Sequence, residues 1–245
     1  MKLTLQRSAV YALGAMLTVC LVSSGAVAQR NRSAIPAKRA NDAARHSRQA
    51  AQVFNQIMAV PDKAIPKELL GRAEAVAVFP NVLRAAFIVG GRKGQGVISR
   101  RTANGWSAPA FFNVGGGSIG AQIGGSSTDY VLLFMNEGAL QGLLEDKFEM
   151  GGEAGVAAGP VGRAASASTN LTLDAAILSY ARSKGAYIGA ALKGVVINPD
   201  NDLNEAFYGR KANNLLTTNT AVATTAIPSN VRVFPLTLNR YARRR

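Results

Sequence analysis

Residues 115–120 are the part of this sequence whose types and spacing come nearest to a catalytic or cofactor site. They match the Gly-x-Gly-x-x-Gly spacing of a dinucleotide-binding turn and, one residue later, the Gly-x-Ser-x-Gly spacing of a nucleophile elbow. A dinucleotide turn must open a helix, whereas residues 119–123 are typical of a strand. A serine nucleophile needs a basic partner, and nothing places the single histidine, His46, near Ser118. The segment is therefore interpreted as a turn between strands.

Other kinds of active site lack the residues they need. One histidine and one cysteine cannot build a His/Cys zinc site, a disulfide framework or an iron–sulfur cluster. Residues 91–94, Gly-Arg-Lys-Gly, are weakly similar to a phosphate-binding loop, but no Ser or Thr follows Lys93 and the P-loop spacing is absent. No pair of carboxylates has a setting that would separate their pKa values. We therefore predict no catalytic residue, no metal and no cofactor, in a protein that is not an enzyme.

The charge of the chain is strongly positive and unevenly distributed. There are 28 Lys and Arg residues against 14 Asp and Glu, a formal net charge of +14. Residues 29–110 hold 14 basic and 4 acidic residues, residues 111–200 hold 5 and 8, and residues 201–245 hold 7 and 2. This asymmetry favours a face that binds anions, such as phospholipid head groups. The alternative is a solvated basic arm at each end.

The first 28 residues have the pattern of a secretory signal peptide. A basic start precedes an apolar run, residues 9–22, and Ala26-Val27-Ala28 has the small residues that signal peptidase requires. The run is shorter than the roughly 20 residues needed to span a bilayer. Lipid attachment at Cys20 is an alternative, although Val19 stands where such sites have a small residue. We predict an exported protein, periplasmic or peripherally attached to an envelope membrane.

The mature chain should begin with helices. Small and apolar residues recur every three or four positions from Lys38 to Val60, which predicts a helix whose other face is basic. Such a helix either lies in a membrane interface or packs on its own domain. Pro61 should end it, and Pro66 should open a second helix, Lys67–Glu74.

From Ala75 to Ile197 the sequence is typical of short, glycine-rich strands. The predicted strands are Ala75–Phe79, Ala85–Val89, Gly96–Arg100, Phe111–Val114, Ser118–Ile123, Tyr130–Met135, Glu153–Ala158, Arg163–Thr169, Ile177–Ala181 and Ala186–Val196. Residues 90–94 have the glycines of a hairpin loop. Close spacing and many glycines predict an α+β fold with a curved, mainly antiparallel sheet or partial barrel and a few packed helices. Further helices are predicted over Glu137–Asp146 and Asp202–Tyr208, and Leu216–Arg245 is expected to be loosely held.

A cationic surface is the functional feature that remains. Arg92, Lys93, Arg100 and Arg101 flank the predicted hairpin, and Trp106 follows in the next loop. Tryptophan is favoured at membrane interfaces because its ring is apolar while its N–H stays hydrated. Trp106 therefore either inserts into a membrane or packs under the sheet.

A series of short motifs resembles the SYLF lipid-binding domain family across roughly Ala50 to Arg210. The motifs, in order, are Ile65-Pro66-x-x-Leu69-Leu70, Ala77-Val78-Phe79-Pro80, Gly90-Gly91-Arg92-x-Gly94-x-Gly96, Gly105-Trp106-Ser107-x-Pro109-Ala110-Phe111, Gly117-Ser118-x-Gly120-x-Gln122-x-Gly124, Gly159-Pro160-Val161-Gly162-Arg163, Ser179-Tyr180-x-Arg182-Ser183-x-Gly185 and Phe207-Tyr208-Gly209.

The resemblance implies phospholipid binding, helped by an N-terminal amphipathic helix. In eukaryotic members the domain binds phosphoinositides and associates with actin patches, often beside a Src-homology-3 domain. Because a bacterial-type signal peptide places this chain away from actin, no actin partner is expected, and anionic envelope phospholipids replace phosphoinositides. The expected organisation is a signal peptide (1–28), a flexible basic arm that begins the amphipathic helix (29–49), the SYLF-like domain (50–210) and a basic tail (211–245).

Our hypothesis is electrostatic docking on anionic phospholipid membranes. The candidate lipid-binding residues are Lys38, Arg39, Arg45, Arg48, Lys63, Lys67, Arg92, Lys93, Arg100, Arg101 and Trp106. Basic residues near an anionic bilayer contribute about 1 kcal/mol each, so the attachment should be sensitive to salt. Two alternatives stay open: a carrier that holds an apolar lipid within the sheet, and a structural envelope protein that binds protein partners. No nucleic-acid partner is expected, because no signature of such a fold is visible and the chain is exported.

Overall fold

The computed structural model describes most of the chain after its N-terminal segment. The described residues are 35–86, 89–119, 124–144, 148–150, 155–162, 175–183, 186–189, 194–217 and 221–242. The predicted signal peptide and the predicted strand Arg163–Thr169 lie outside these ranges. Export of the chain therefore stays a prediction.

Helix α1, Ala37–Met58, confirms the helix expected from the apolar periodicity. Its buried stripe is small at the start, with Ala43 and Ala50, and bulky at the end, with Phe54 and Ile57. This stripe packs on the domain itself, which decides between the two alternatives left by the sequence. A 3-10 turn, Pro61–Lys63, leads to helix α2, Lys67–Arg72.

The strands that the structure describes form one curved sheet. They are β1 Ala75–Ala86, β2 Val89–Thr102, β3 Gly105–Trp106, β4 Ala110–Ile119, β5 Gly124–Phe134, β6 Phe148–Met150, β7 Val156–Ala158, β8 Ile177–Ser183, β9 Ala186–Gly189 and β10 Val195–Pro199. The strand order is β6-β10-β4-β2-β1-β5-β8-β7, with β3 on β2 and β9 on β8. Each pair is antiparallel except β7 with β8, and the sheet nearly closes into a barrel. The predicted α+β fold with a mainly antiparallel, strongly curved sheet is confirmed.

Two expectations about the first strands are wrong. The predicted strand Ala75–Phe79 and residues 85–86 of the predicted strand Ala85–Val89 belong to one long strand, β1, because a register shift after Phe79 carries it past Pro80. Residues 87–88 lie outside the described ranges, and Val89 begins β2. The predicted hairpin loop, residues 90–94, lies inside β2, where it pairs with β1 on one side and β4 on the other. Glycines paired on both sides belong to a sheet interior rather than to a turn.

Hydrophobic clusters cover both faces of the sheet near its centre. The remaining helices are α3 Glu137–Leu144, α4 Asn201–Tyr208, α5 Ala212–Leu216 and α6 Val233–Tyr241. Alternate strand residues pack with α1, α2, α4 and α6 on one face, called here the α1 face. The intervening residues pack with α3 and α5 on the other, called the α3 face.

The C-terminal segment is not loosely held over residues 221–242, contrary to expectation. Phe234 and Leu238 of α6 are fully buried in the same cluster as α1. The Ser47 hydroxyl in α1 donates a hydrogen bond to the Val231 carbonyl at 2.6 Å. The helical spacing of Phe234 and Leu238 was not recognised in the sequence because Thr and Pro residues flank it.

Among the described residues, no helix is long and apolar enough to cross a membrane. The same part of the chain holds no cluster of His, Cys, Asp and Glu side chains that could bind a metal ion.

Candidate anionic-ligand surfaces

The two basic pairs of strand β2 have different environments. Arg100 and Arg101 lie near the end of the strand and are buried, with 5% and 9% of their surface exposed. Lys93 is exposed and Arg92 is partly buried. The four residues expected to form one cationic hairpin surface therefore do not form one.

Arg101 is a structural residue that joins three parts of the chain. Its guanidinium donates hydrogen bonds to the carbonyl oxygens of Ala73, Ala242 and Leu70. It also lies over the ring of Trp106, 4.3 Å from the centroid. Trp106 is only 2% exposed, so of the two alternatives for this side chain the structure selects packing under the sheet. Both residues are removed from the candidate lipid contacts.

Arg100 is also removed, because its charge is paired inside the protein. Its guanidinium donates one hydrogen bond to the Leu216 carbonyl at 2.9 Å and another to the Glu137 carboxylate at the start of α3. Hydrogen bonds between charged groups are short and strong. Arg100 thus holds α3 and α5 against the sheet.

The ends of β1 and β4 and the beginnings of β2 and β5 meet at the end of the sheet away from Arg100 and Arg101, which we call the far end. There they present an exposed surface on the α1 face. We call it the open face; its exposed side chains are Leu83, Ala85, Lys93, Gln95 and Ser127, and Gly91, Gly117 and Gly125 lie between them. Leu83 is 62% exposed, the most exposed large hydrophobic side chain described. Lys93 is directly opposite Leu83 on β2, and Ser127 is opposite it on β5. The open face thus combines an apolar side chain, a lysine and glycine backbone that no side chain covers.

The α3 face of the same strand ends carries a second cationic group, which the sequence analysis did not include. Arg84 on β1 is directly opposite Arg92 on β2, and both are partly buried. Arg84 was missed because the expected strand stopped at Phe79, so its alternation with Leu83 could not be seen. Arg92 and Lys93, adjacent in sequence, lie on opposite faces because strand side chains alternate.

The N-terminal basic residues all lie on α1, where the helix is not covered by the sheet. Lys38, Arg45 and Arg48 are exposed and Arg39 is partly buried. Arg45 pairs with Asp42 at 2.9 Å, and this hydrogen bond holds the pKa of the Asp42 carboxyl below its usual range. Part of the α1 charge is therefore neutralised within the helix.

His46 lies beneath these residues and is 4% exposed. Its ring is 6.3 Å from that of Phe111, and burial, followed by the charge of Arg45, lowers its pKa. A buried imidazole packed on an aromatic ring is a core residue.

Lys63 and Lys67 lie beside an apolar groove of about 460 Å³ at the C-terminal end of α1. Its lining residues are Met58, Pro61, Ala64, Ile65, Pro66, Lys67, Gly162 and Tyr241. Val60 is 46% exposed and precedes the turn that carries Lys63. The groove is the second place where apolar surface and lysines meet.

Family and sequence comparisons agree with the motifs. A family model described as "Ysc84: Las17-binding protein actin regulator" matches residues 115–239. LAS seventeen-binding protein 3 and Protein YSC84, both of Saccharomyces cerevisiae, are each 35% identical over 159 residues, covering 63% of this chain and 34% of each relative. SH3 domain-containing YSC84-like protein 1 of Xenopus laevis is 31% identical over 171 residues, covering 67% of this chain and 51% of the relative. The chain thus spans a third to a half of the length of these relatives.

Proposed function

This chain belongs to the Ysc84 (SYLF) family, and from that premise we propose that it is a non-catalytic protein that docks on anionic phospholipid membranes. Attraction between basic side chains and head groups brings the protein to the bilayer, and shallow insertion of apolar side chains holds it there. The observation that carries the proposal is the open face, where Leu83 is 62% exposed and faces Lys93 across the strand pair.

The open face has the composition that shallow insertion requires. Full burial of a leucine side chain contributes roughly 1.5–3 kcal/mol, and a basic residue near an anionic surface adds about 1 kcal/mol. Among the described residues, Lys93 forms no ion pair, so its charge is available to a head group. One leucine and one lysine give a weak, salt-sensitive attachment, and a second contact is needed for stable binding.

The groove beside Lys63 and Lys67 supplies that second contact. Its lining is mostly apolar, and Val60, which directly precedes the lining residue Pro61, is 46% exposed. Helix α1 contributes in a different way from the family expectation, because its apolar stripe packs in the protein core. Its exposed basic residues, Lys38 and Arg48, then act by charge alone.

Export is part of the proposal and depends on the sequence of residues 1–28. In the periplasm the anionic phospholipids of the bacterial envelope would be the membrane bound. The yeast relative LAS seventeen-binding protein 3 is named for a protein partner, so a protein partner is the second candidate function here.

The test is sedimentation of the purified protein with vesicles of neutral or anionic phospholipid, at low and at physiological salt. We expect binding to anionic vesicles only, weakened by salt and by Leu83→Ser or Lys93→Gln. The matched controls are Leu236→Ser, at a position 54% exposed on α6, and Lys211→Gln, an exposed lysine before α5; both should bind as the unchanged protein does.

Other outcomes favour the alternatives. Binding that ignores head-group charge, together with lipid that co-purifies in native mass spectrometry, would favour a carrier of an apolar lipid. No binding to any vesicle would overturn membrane docking and direct the search to protein partners of the envelope.

A further inference from the structure

Two arginines share the α3 face at the far end of the sheet without any neutralising group among the described residues. Arg84 and Arg92 are directly opposite each other on β1 and β2. Directly opposed residues have Cβ atoms about 4.5–5.5 Å apart on one face, and like charges in that arrangement destabilise a sheet. The ion pairs described in the structure involve Arg45, Arg100 and Arg182, and neither residue of this pair.

Partial burial increases the free-energy cost of holding these two arginines side by side. Both arginines are only partly exposed, and the Nε atom of Arg84 is shielded from solvent without any hydrogen-bond acceptor among the described residues. A buried donor without an acceptor is unfavourable, because it has given up its hydrogen bond to water. The buried guanidinium of Arg101, in contrast, donates to the carbonyl oxygens of Ala73 and Ala242. Arg84 therefore has donor capacity that none of the described residues uses.

The neighbouring strand adds a hydroxyl to the same row. Ser126 on β5 is directly opposite Arg84, so the three side chains Ser126, Arg84 and Arg92 stand side by side on successive strands. Adjacent strands are about 4.8 Å apart, so the outer members of the row, Ser126 and Arg92, are about 9.6 Å apart at the backbone. Arginine side chains are long enough to converge across this distance on one tetrahedral oxyanion. Guanidinium groups bind phosphoryl oxygens through paired N–H donors, and a serine hydroxyl can donate a further hydrogen bond.

We infer that Ser126, Arg84 and Arg92 form a binding site for a phosphoryl group, on the opposite side of the sheet from the open face. The group can belong to free phosphate or to a phospholipid head group, since both present the same oxygens. The inference does not depend on membrane docking, because the site can be tested with soluble ligands alone.

The experiment titrates the purified protein with inorganic phosphate and, separately, with dihexanoyl phosphatidic acid below its micelle concentration, at constant ionic strength set with chloride. Binding is followed by calorimetry and by the arginine Nε–H signals in ¹H–¹⁵N spectra. We expect saturable binding with a shift of the Arg84 Nε signal. Binding of phosphate indicates a free-phosphate site, whereas binding of phosphatidic acid alone indicates a head-group site.

Matched variants separate a specific site from general positive charge. Arg92→Gln and Arg84→Gln should each lower affinity about tenfold or more, as expected for loss of a charge-assisted contact. Lys211→Gln makes the same change of charge at an exposed lysine before α5, outside both proposed contact sites, and should change affinity less than about twofold. In chloride alone, Arg84→Gln should be at least as stable as the unchanged protein, because like-charge repulsion is removed.

Two results would overturn the inference. One is that neither ligand binds saturably to the unchanged protein, a result that no folding defect in a variant can cause. The other is that Lys211→Gln weakens binding as much as Arg92→Gln, which would show attraction by net charge only. Neither result bears on vesicle binding through Leu83, so failure of this site and failure of membrane docking are distinguishable.

Discussion

Strand β2 carries two pairs of basic residues that are alike in sequence and opposite in environment. Arg100 and Arg101 are buried, and their guanidinium groups bind carbonyl oxygens and a carboxylate of the protein. Arg92 is partly buried and Lys93 exposed, and neither forms an ion pair with a described residue. Two basic pairs of one strand thus differ in their bonding: one is hydrogen-bonded within the fold, and the other forms no ion pair with a described residue.

The difference follows from what covers the strand. Near Arg101, helix α2 and the end of α6 bring backbone carbonyls to the sheet, so a charged side chain can be fully hydrogen-bonded while buried. At the far end the α1 face of the strand is exposed, so Lys93 keeps its hydration. We expect the covered end to determine stability and the far end to determine ligand binding.

Arg101→Ala should have the largest effect on stability. It leaves carbonyl oxygens of Ala73 and Ala242 without their donor and removes the group that lies over Trp106. We expect the free energy of unfolding to fall by about 4 kcal/mol, measured by urea denaturation. Arg92→Ala, nine residues earlier on the same strand, should change it by less than about 0.5 kcal/mol.

Arg101→Lys tests whether geometry or charge is responsible. A lysine keeps the charge but lacks the planar fork of donors, so this variant should also be strongly destabilised. Equal effects of the alanine substitutions at positions 92 and 101 would contradict the distinction between the two ends of the strand.

Glycines in the two regions should respond differently to a methyl group. A Cβ at Gly96 would collide with the Val78 carbonyl and the Phe79 ring, whereas a Cβ at Gly91 on the open face would meet nothing within 4 Å. Gly96→Ala should lower the free energy of unfolding by about 2–3 kcal/mol, as overpacking does. Gly91→Ala should be neutral or stabilising by up to about 0.5 kcal/mol.

Thermal unfolding of the two glycine variants side by side is sufficient to check this. A loss of stability in Gly91→Ala as large as that in Gly96→Ala would mean that the open face is covered in solution, for example by another part of the chain.

The features predicted correctly from sequence depend on local patterns. The α1 helix follows from the spacing of Ala43, Ala50, Phe54 and Ile57, and the antiparallel sheet follows from closely spaced short strands. Residues 80–84 of β1 were missed because Pro80 normally ends a strand, whereas here a register shift continues it. Gly90 and Gly91 were assigned to a hairpin loop, although they pair with β1 and β4 inside the sheet.

Burial of Arg100 and Arg101 could not be predicted from sequence. The acceptors of Arg101 come from Leu70, Ala73 and Ala242, and backbone carbonyls have no sequence signal. The position of Arg84 could not be predicted either, because the register shift leaves Phe79 and Val82 on the same face, so that unbroken alternation would assign Arg84 to the wrong face. The candidate site was thus unpredictable both where it depends on a bulge and where it depends on distant carbonyls.

The smallest effect that we predict is a loss of stability of the covered region in weak acid. His46 is buried against Phe111, and burial, followed by the charge of Arg45, lowers its pKa below the usual 6.5. In the unfolded chain the imidazole binds a proton near pH 6.5, whereas in the folded protein it stays neutral to lower pH. The unfolded state therefore holds more protons in this interval, so the contribution of His46 is complete above about pH 6.5 and is lost as the pH falls from there through the lowered pKa.

Urea denaturation at pH 7.5 and pH 5.5 measures this contribution, with His46→Leu as the variant that cannot titrate. The unchanged protein should lose more stability between the two pH values than the variant does. Asp42, whose pKa is lowered mainly by its hydrogen bond from Arg45, titrates below 3.8 and therefore does not interfere in this range. An equal loss in both proteins would mean that His46 is charged in the folded state, and that the region under α1 is more accessible to water than its 4% exposure indicates.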